Sequence, residues 1–365
     1  MAEQPTTSRT ALEATQPEAI DAGDSWLLIE TMGTGTPTVV FDTDKPKRFT
    51  SISRRQRFTD STITVGLVGI VDEVRRDGQP AHRRFATNTN DTLSLFAAPI
   101  LGPDSVVFAV QVLITGTDDP GAFLAGRRKC GAFVWDPTDQ VTYHGPTMES
   151  EIMGVDESVP HAQRVSPEVF SLFDEFPRIN ELGAWTSEVL ADEVEDDSTF
   201  YSDLLMTGVD GVQRSAFMTF KAVRPAPGER SIMRGLVHDV TDIRPPMPAA
   251  GFNAALVRSA FGMTEAPTDA GIGHLNFPTR IILEWFHAPP APLDRWTREN
   301  AEIHPDDRSV LDKNVDELAA GAVDEVTFDL RVRFADTDWI PTQANVRAAL
   351  PGDLGQGLVK ITPLT

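Results

Sequence analysis

Residues 326–334 read Val-Thr-Phe-Asp-Leu-Arg-Val-Arg-Phe, so that Val326, Phe328, Leu330, Val332 and Phe334 alternate with Thr327, Asp329, Arg331 and Arg333. Successive side chains of a strand point to opposite faces. A period of two therefore predicts a strand with one face on a core and the other in water. An Asp-rich turn, Ala335 to Asp338, separates it from a second strand, Trp339 to Leu350, and a Pro351-Gly352-Asp353 turn leads into a third, Gly357 to Ile361. Upstream, Leu311, Val315 and Leu318 recur at helical spacing and stop at Gly321, a residue that suits the turn after a helix. The local unit is a helix followed by three strands.

The same order occurs twice more. Leu182, Trp185 and Val189 mark a helix, followed by strands at Phe200 to Met206, Arg214 to Val223 and Met233 to Val240, with an Asp210-Gly211 hairpin signal and a turn around Pro225 to Gly228. Ile63, Leu67, Ile70, Val71 and Val74 mark another helix, with Gly78 past its end. Strands follow at His82 to Thr87, Thr92 to Leu101 and Ser105 to Ile114, with turns at Asn88 to Asp91 and Gly102-Pro103. Each copy also has a front pair of strands: Trp26 to Glu30 with Thr38 to Asp42, Gly131 to Asp136 with Gln140 to Tyr143, and the poorer Gly271 to Leu275 with Thr279 to Trp285. The predicted fold class is α+β, three tandem units each made of an antiparallel sheet flanked by helices.

The chain has 365 residues, 32 Lys plus Arg against 54 Asp plus Glu, and a net charge of −22. Phosphate backbones and anionic lipid are held by cationic surface, so this balance argues against nucleic-acid partners and against membrane binding. Residues 1–24 hold almost no large apolar side chain and are predicted to be a disordered acidic tail. The units then run 25–116, 117–245 and 246–365. The longest apolar-leaning run, Ser105 to Thr115, is far short of the roughly 20 residues of a membrane helix. The single cysteine, Cys130, cannot form an intrachain disulfide, and no secretory leader precedes the first unit, so the expected location is cytoplasmic.

At these residues the chain resembles the PAS superfamily of sensory domains. Met233-Arg-Gly-Leu-Val-His-Asp-Val-Thr-Asp-Ile243 is similar to the final PAS strand and its Asp-containing exit. Ile303-His-Pro-Asp-Asp-Arg308 is similar to the entry of the long PAS helix, and Phe133-Val-Trp-Asp136 to a first PAS strand. Over its whole length, with Asp24-Ser-Trp-Leu-Leu-Ile-Glu-Thr-Met-Gly33 at the start, the chain resembles an actinobacterial family of tandem PAS-GAF-PAS proteins known from mycobacteria. The resemblance implies a GAF-like middle unit, whereas its own motifs read as PAS. It also makes haem or flavin binding conceivable, but the sequence offers no flavin-reactive cysteine context and no placed axial histidine, so no cofactor is predicted and the protein is expected to be colourless.

Catalytic and metal chemistry find little to start from. The seven histidines (His82, His144, His161, His238, His274, His287, His304) show no His-x-x-x-His or His-Glu-x-x-His spacing, and Cys130 has no nearby Cys or His. No phosphate loop, dinucleotide fingerprint or Gly-x-Ser-x-Gly elbow is present. His304-Pro-Asp-Asp307 reads as a helix cap rather than a metal cluster. His238 reads as a sheet residue, Cys130 as an unreactive thiol beside Arg127, Arg128 and Lys129, and Glu188 to Asp197 as a solvated acidic face. Phe133, Trp135 and Tyr143, with Phe217 and Phe220, could line a ligand cavity between sheet and helices or simply fill it. Phe133 and Trp135 share a strand face, whereas Phe217 and Phe220 do not.

The expected function is that of a non-catalytic sensory or regulatory protein. With the chain ending at its last strand, no effector domain is expected. Output would pass through contacts with a protein partner, homodimerisation included, linked to an unknown small molecule. The alternative is a constitutive interaction scaffold without a ligand.

Overall fold

The computed structural model describes residues 25–54, 61–87, 92–121, 123, 127–156, 158, 163–195, 197–226, 228–246, 254–348 and 355–364. The predicted tail, the Asn88 to Asp91 and Pro351 to Asp353 turns, and Pro227 of the Pro225 to Gly228 turn lie outside them. The fold is α+β with three antiparallel sheets. The first holds β1 (Ser25–Glu30), β2 (Thr38–Asp42), β3 (Lys45–Ser51), β4 (Ala81–Ala86), β5 (Thr92–Leu101) and β6 (Val107–Thr115), ordered β3-β2-β1-β6-β5-β4. The second holds β7 (Cys130–Asp136), β8 (Val141–His144), β9 (Gln163–Val165), β10 (Phe173–Glu175), β11 (Thr199–Thr207), β12 (Gln213–Val223) and β13 (Ile232–Asp239), ordered β10-β11-β12-β13-β7-β8-β9. The third holds β14 (Gly271–Asn276), β15 (Ile282–His287), β16 (Glu302–Ile303), β17 (Glu325–Arg333), β18 (Ile340–Ala348) and β19 (Gln356–Pro363), ordered β15-β14-β19-β18-β17-β16. In each sheet the front hairpin lies against the last strand, which continues into the two strands before it. Among the described residues no sheet spans positions 117 or 246.

Three helices fall where apolar spacing places them. Ser61–Asp77 buries Ile63, Leu67, Ile70, Val71 and Val74. Ile179–Leu190 buries Leu182, Trp185 and Val189, and Arg308–Ala319 buries Leu311, Val315 and Leu318. Gly78 and Gly321 take positive φ beyond two of these helices, a conformation open to glycine at no steric cost. Several elements carry no clear period in the sequence: β3 with its two lysines, an arginine and a proline, the three-residue β9 and β10, the two-residue β16, the short helix Ser166–Phe170, a π-helical turn at Met148–Met153, and the helix Ala254–Gly262. His304 caps not the helix Arg308–Ala319 but the 3-10 turn Pro305–Asp307 that leads into it, accepting a hydrogen bond from the backbone N–H of Asp306 at 3.2 Å. Asp307 caps nothing and instead takes three hydrogen bonds at 2.8 Å from the backbone and guanidinium of Arg331.

The first two sheets pack back to back. On β7, Cys130, Ala132 and Val134 face the first unit while Phe133 and Trp135 face their own helices. On β12, Phe217 joins the shared layer with Leu28, Val40 and Phe41, whereas Met218 and Phe220 turn inward. Two positions along β12 from Phe217, on its face, Thr219 is followed by Lys221, whose Nζ lies 2.9 Å from Glu30 Oε1. Both side chains are buried, and Met32 N–H donates to the other Glu30 oxygen at 3.1 Å. Arg234 adds a bond to the Met32 carbonyl at 2.9 Å.

The third unit docks differently. Its Ile281 and Leu283 enter the middle unit's core, and Gln356 Nε2 donates to Asn180 Oδ1 at 2.6 Å. Arg258, on the helix joining the two units, bonds Asp174 Oδ1 at 2.9 Å and both oxygens of Glu284 at 3.1 Å. Burial pushes the Glu284 carboxyl up to about 7, against the lowering effect of Arg258 and with the repulsion of Asp174.

Two outcomes follow from these joints. Lys221→Met leaves a buried carboxylate without its cation and is expected to cost about 3–5 kcal/mol in urea unfolding, much of it recovered in Glu30→Gln/Lys221→Met. Equal losses in the single and double variants would show that the pair is not what matters there. Because Glu284 binds its proton more tightly when folded, its contribution is complete below about pH 4.5 and is lost as pH rises through about 7. Glu284→Gln should flatten that part of the Tm profile, and an unchanged slope would contradict the assignment.

Candidate functional site

Phe133 and Trp135 on β7, Thr142 on β8, Met148 in the π-helical turn, Phe173 on β10 and Phe220 on β12 line a cavity between the middle sheet and its helices. Gly131 lets the turn come down onto the sheet: a Cβ there would stand 2.6 Å from the Met148 Cα. The Phe133 and Phe220 rings meet edge to face at 5.2 Å, and Trp135 does the same with Phe170 at 5.7 Å, geometries that favour aromatic quadrupoles. The cavity volume is about 20 Å³, close to the space of a single water. Trp135 is buried, and its indole N–H has no hydrogen-bond partner among the described residues.

Three of the five predicted pocket residues, Phe133, Trp135 and Phe220, come together here. Phe217 does not: its odd position on β12 turns it to the first unit, where its ring lies 6.2 Å from Phe41. Tyr143 does not either, since it pairs with Val134 on the same outward face and is 38% exposed. Sequence reasoning missed Thr142, Met148, Phe173 and Met218. Met218 could have been found from its strand parity with Phe220, and Thr142 as a near neighbour of Gln140 in the predicted strand. Met148 and Phe173 belong to the irregular front connection, where no period marks them.

Beside the cavity, His144 pairs across the sheet with Phe133. Its Nδ1 contacts Glu149 Oε1, and Arg164 clasps both Glu149 oxygens at 2.9 and 2.8 Å. Burial pushes the Glu149 carboxyl up, but the Arg164 and His144 hydrogen bonds outweigh it and hold the group at about 2. His144, Glu149 and Arg164 thus tie the covering turn to β8 and β9 as a charged strut. Cys130 is fully buried and burial pushes its thiol well up, the opposite of an activated nucleophile. His238 sits in the sheet, as expected. Among the described residues no group of three or more His, Cys, Asp or Glu could hold a metal ion, and no helix is long and apolar enough to cross a membrane. Asp192, in the acidic stretch, bonds Arg224 and Ser231, while Glu188, Glu193 and Glu195 stay exposed.

Comparison with known proteins gives a relation without an activity. Residues 25–121 match the family model described as Rv3651-like, N-terminal. The crystal structure of an uncharacterized protein from Mycobacterium tuberculosis is similar over 93% of this chain and 96% of its own, with 21% identity and a TM-score of 0.64, a likeness of fold. A sensory box histidine kinase/response regulator from Burkholderia thailandensis matches at 20% identity over 33% of this chain and 84% of its own, with a TM-score of 0.24. An RNA-binding light-oxygen-voltage receptor matches at 11% identity over 65% of this chain and 95% of its own, with a TM-score of 0.23. No curated protein matches.

The Glu149 strut carries a pH signature opposite to that of Glu284. Its folded-state affinity for the proton is lowered, so its stabilisation is present above about pH 4.5 and is lost as pH falls toward about 2. Glu149→Gln is expected to lower Tm at pH 7 and to reduce the acid-side slope. A variant as acid-sensitive as the parent would show that the strut does not hold the turn.

Proposed function

We propose a non-catalytic, cytoplasmic sensory or regulatory protein of three PAS-like units, the middle one PAS- or GAF-like, that acts through ligand-linked or partner-linked protein contacts. The strand order common to the three sheets supports the repeat. The observation that carries the ligand reading is the buried indole N–H of Trp135 in a wall that is otherwise almost wholly apolar. A buried donor without a partner costs free energy, and a ligand acceptor would remove that cost. The matching occupant is a small, largely apolar molecule with one oxygen acceptor.

At about 20 Å³ the cavity must widen before such a molecule fits, so the rings of Phe133, Phe173 and Phe220 have to shift. A close-packed core passes that strain to its neighbours, and Ile281 and Leu283 of the third unit stand in the same core. Ligand entry would thereby change how the third unit docks, which is the required coupling of site to surface. The small resting volume also favours the second reading, a constitutive scaffold whose middle unit is simply filled.

Native mass spectrometry of the full chain purified from its own host separates the two. A retained small molecule, weakened in the folded Trp135→Phe variant, is the expected result. Absence of any adduct over varied growth conditions would leave the scaffold. Turnover by protein freed of contaminating enzymes would overturn the non-catalytic reading altogether.

A further inference from the structure

A second, smaller cavity lies where the first unit meets the second. Gln111 of β6 and Phe41 of β2 line it from one side, Arg128 and His238 from the other. It is separate from the aromatic cavity: His238 and Val237 are neighbours on β13 and point to opposite faces. Three of its lining residues each carry a buried polar atom with no hydrogen-bond partner among the described residues, namely Gln111 Oε1, Arg128 Nη1 and His238 Nδ1. Gln111 and His238 are both more than nine-tenths buried. Three such atoms at one cavity need a partner that the described side chains do not supply.

Their chemistry defines the occupant. Gln111 Nε2 already donates to the Arg128 carbonyl at 2.8 Å, which fixes the amide orientation and leaves Oε1 as an acceptor. Arg128 spends Nη2 on Asp242 at 3.0 Å and holds its guanidinium 5.5 Å from the Phe41 ring, leaving Nη1 as a cationic donor. His238 packs its ring against Phe41 at 4.5 Å, and burial, aided by the Arg128 charge, lowers its pKa to about 3. The imidazole is therefore neutral at physiological pH, and we assign its proton to Nε2, the tautomer in which Nδ1 accepts.

One donor and two acceptors call for an occupant that accepts once and donates twice. A simple anion would answer Arg128 but face two lone pairs. A metal cation would face Arg128, and an apolar group would leave all three atoms unsatisfied. The cavity measures about 10 Å³, the room of one water. We propose that the junction of the first two units is built around one bound water molecule, which accepts from Arg128 Nη1 and donates to Gln111 Oε1 and His238 Nδ1. The water is then a structural bridge whose partners come from both units, and its loss weakens their docking.

The test joins a high-resolution crystal structure of the full chain with thermal unfolding of Gln111→Leu, His238→Phe and the double variant. The expected results are a water within hydrogen-bond distance of all three atoms, a lower Tm for each single variant, and a double-variant loss smaller than the sum of the singles, because either substitution alone already disrupts the bridge. Replacing chloride by phosphate at constant ionic strength should leave Tm unchanged. A dry cavity, a bound anion, additive losses or a Tm that climbs with phosphate would each overturn the proposal. Should a variant fail to fold, the parent crystal structure decides alone.

Discussion

The fold depends on two sheets meeting back to back across a buried ion pair. Taking Lys221 and Glu30 out of water is costly, and only close approach with further hydrogen bonds compensates. That requirement acts as a register lock. A one-residue slip of β12 would move Lys221 into the aromatic core and bring Phe220 out to the first unit, exchanging every inward side chain for an outward one. The apolar contacts of Phe41 with Phe217 and His238 are less selective, since apolar groups tolerate neighbours of many shapes. The charge pair therefore specifies the alignment, and the surrounding apolar layer supplies most of the attraction.

This packing also explains where the sequence could be read. The strand Val326 to Phe334 alternates cleanly because one face of β17 rests on its core and the other meets solvent. The helices Ser61–Asp77, Ile179–Leu190 and Arg308–Ala319 were equally legible, because their buried side chains recur at helical spacing. By contrast, Ser105 to Thr115 reads as an apolar run rather than an alternation. The structure gives the reason: all nine residues of β6 are buried, Val110, Val112 and Ile114 in the core under the first unit's helix, Phe108 and Ala109 in the layer shared with the second sheet, and Leu113 beside Phe96 and Phe123. The lack of a period was itself a sign that both faces are covered.

The middle cavity was only partly legible for a related reason. Strand parity separates Phe217 from Phe220, but it cannot say which face meets ligand and which meets another unit. That depends on a sheet more than a hundred positions away in the chain. Tyr143 failed by the same rule, since its strand partner Val134 faces the first unit. Met148 sits on a turn whose path follows from Gly131 clearance and the Glu149 strut, and Phe173 on a three-residue strand placed by its pairing with β11, tertiary effects with no local period.

The middle unit is thus fully engaged. One face of its sheet carries the first unit, and its core accepts Ile281 and Leu283 from the third. A core closed at packing density cannot absorb a new occupant locally, because neighbouring side chains have few voids to move into. The two joints differ in how they can yield. The Lys221–Glu30 pair is buried and tied into a sheet, whereas Arg258 holds Asp174 and Glu284 from a connecting helix and is itself partly exposed. Of the two joints, the one to the third unit is therefore held by the more exposed cation, Arg258 on its connecting helix against the buried Lys221 of the other.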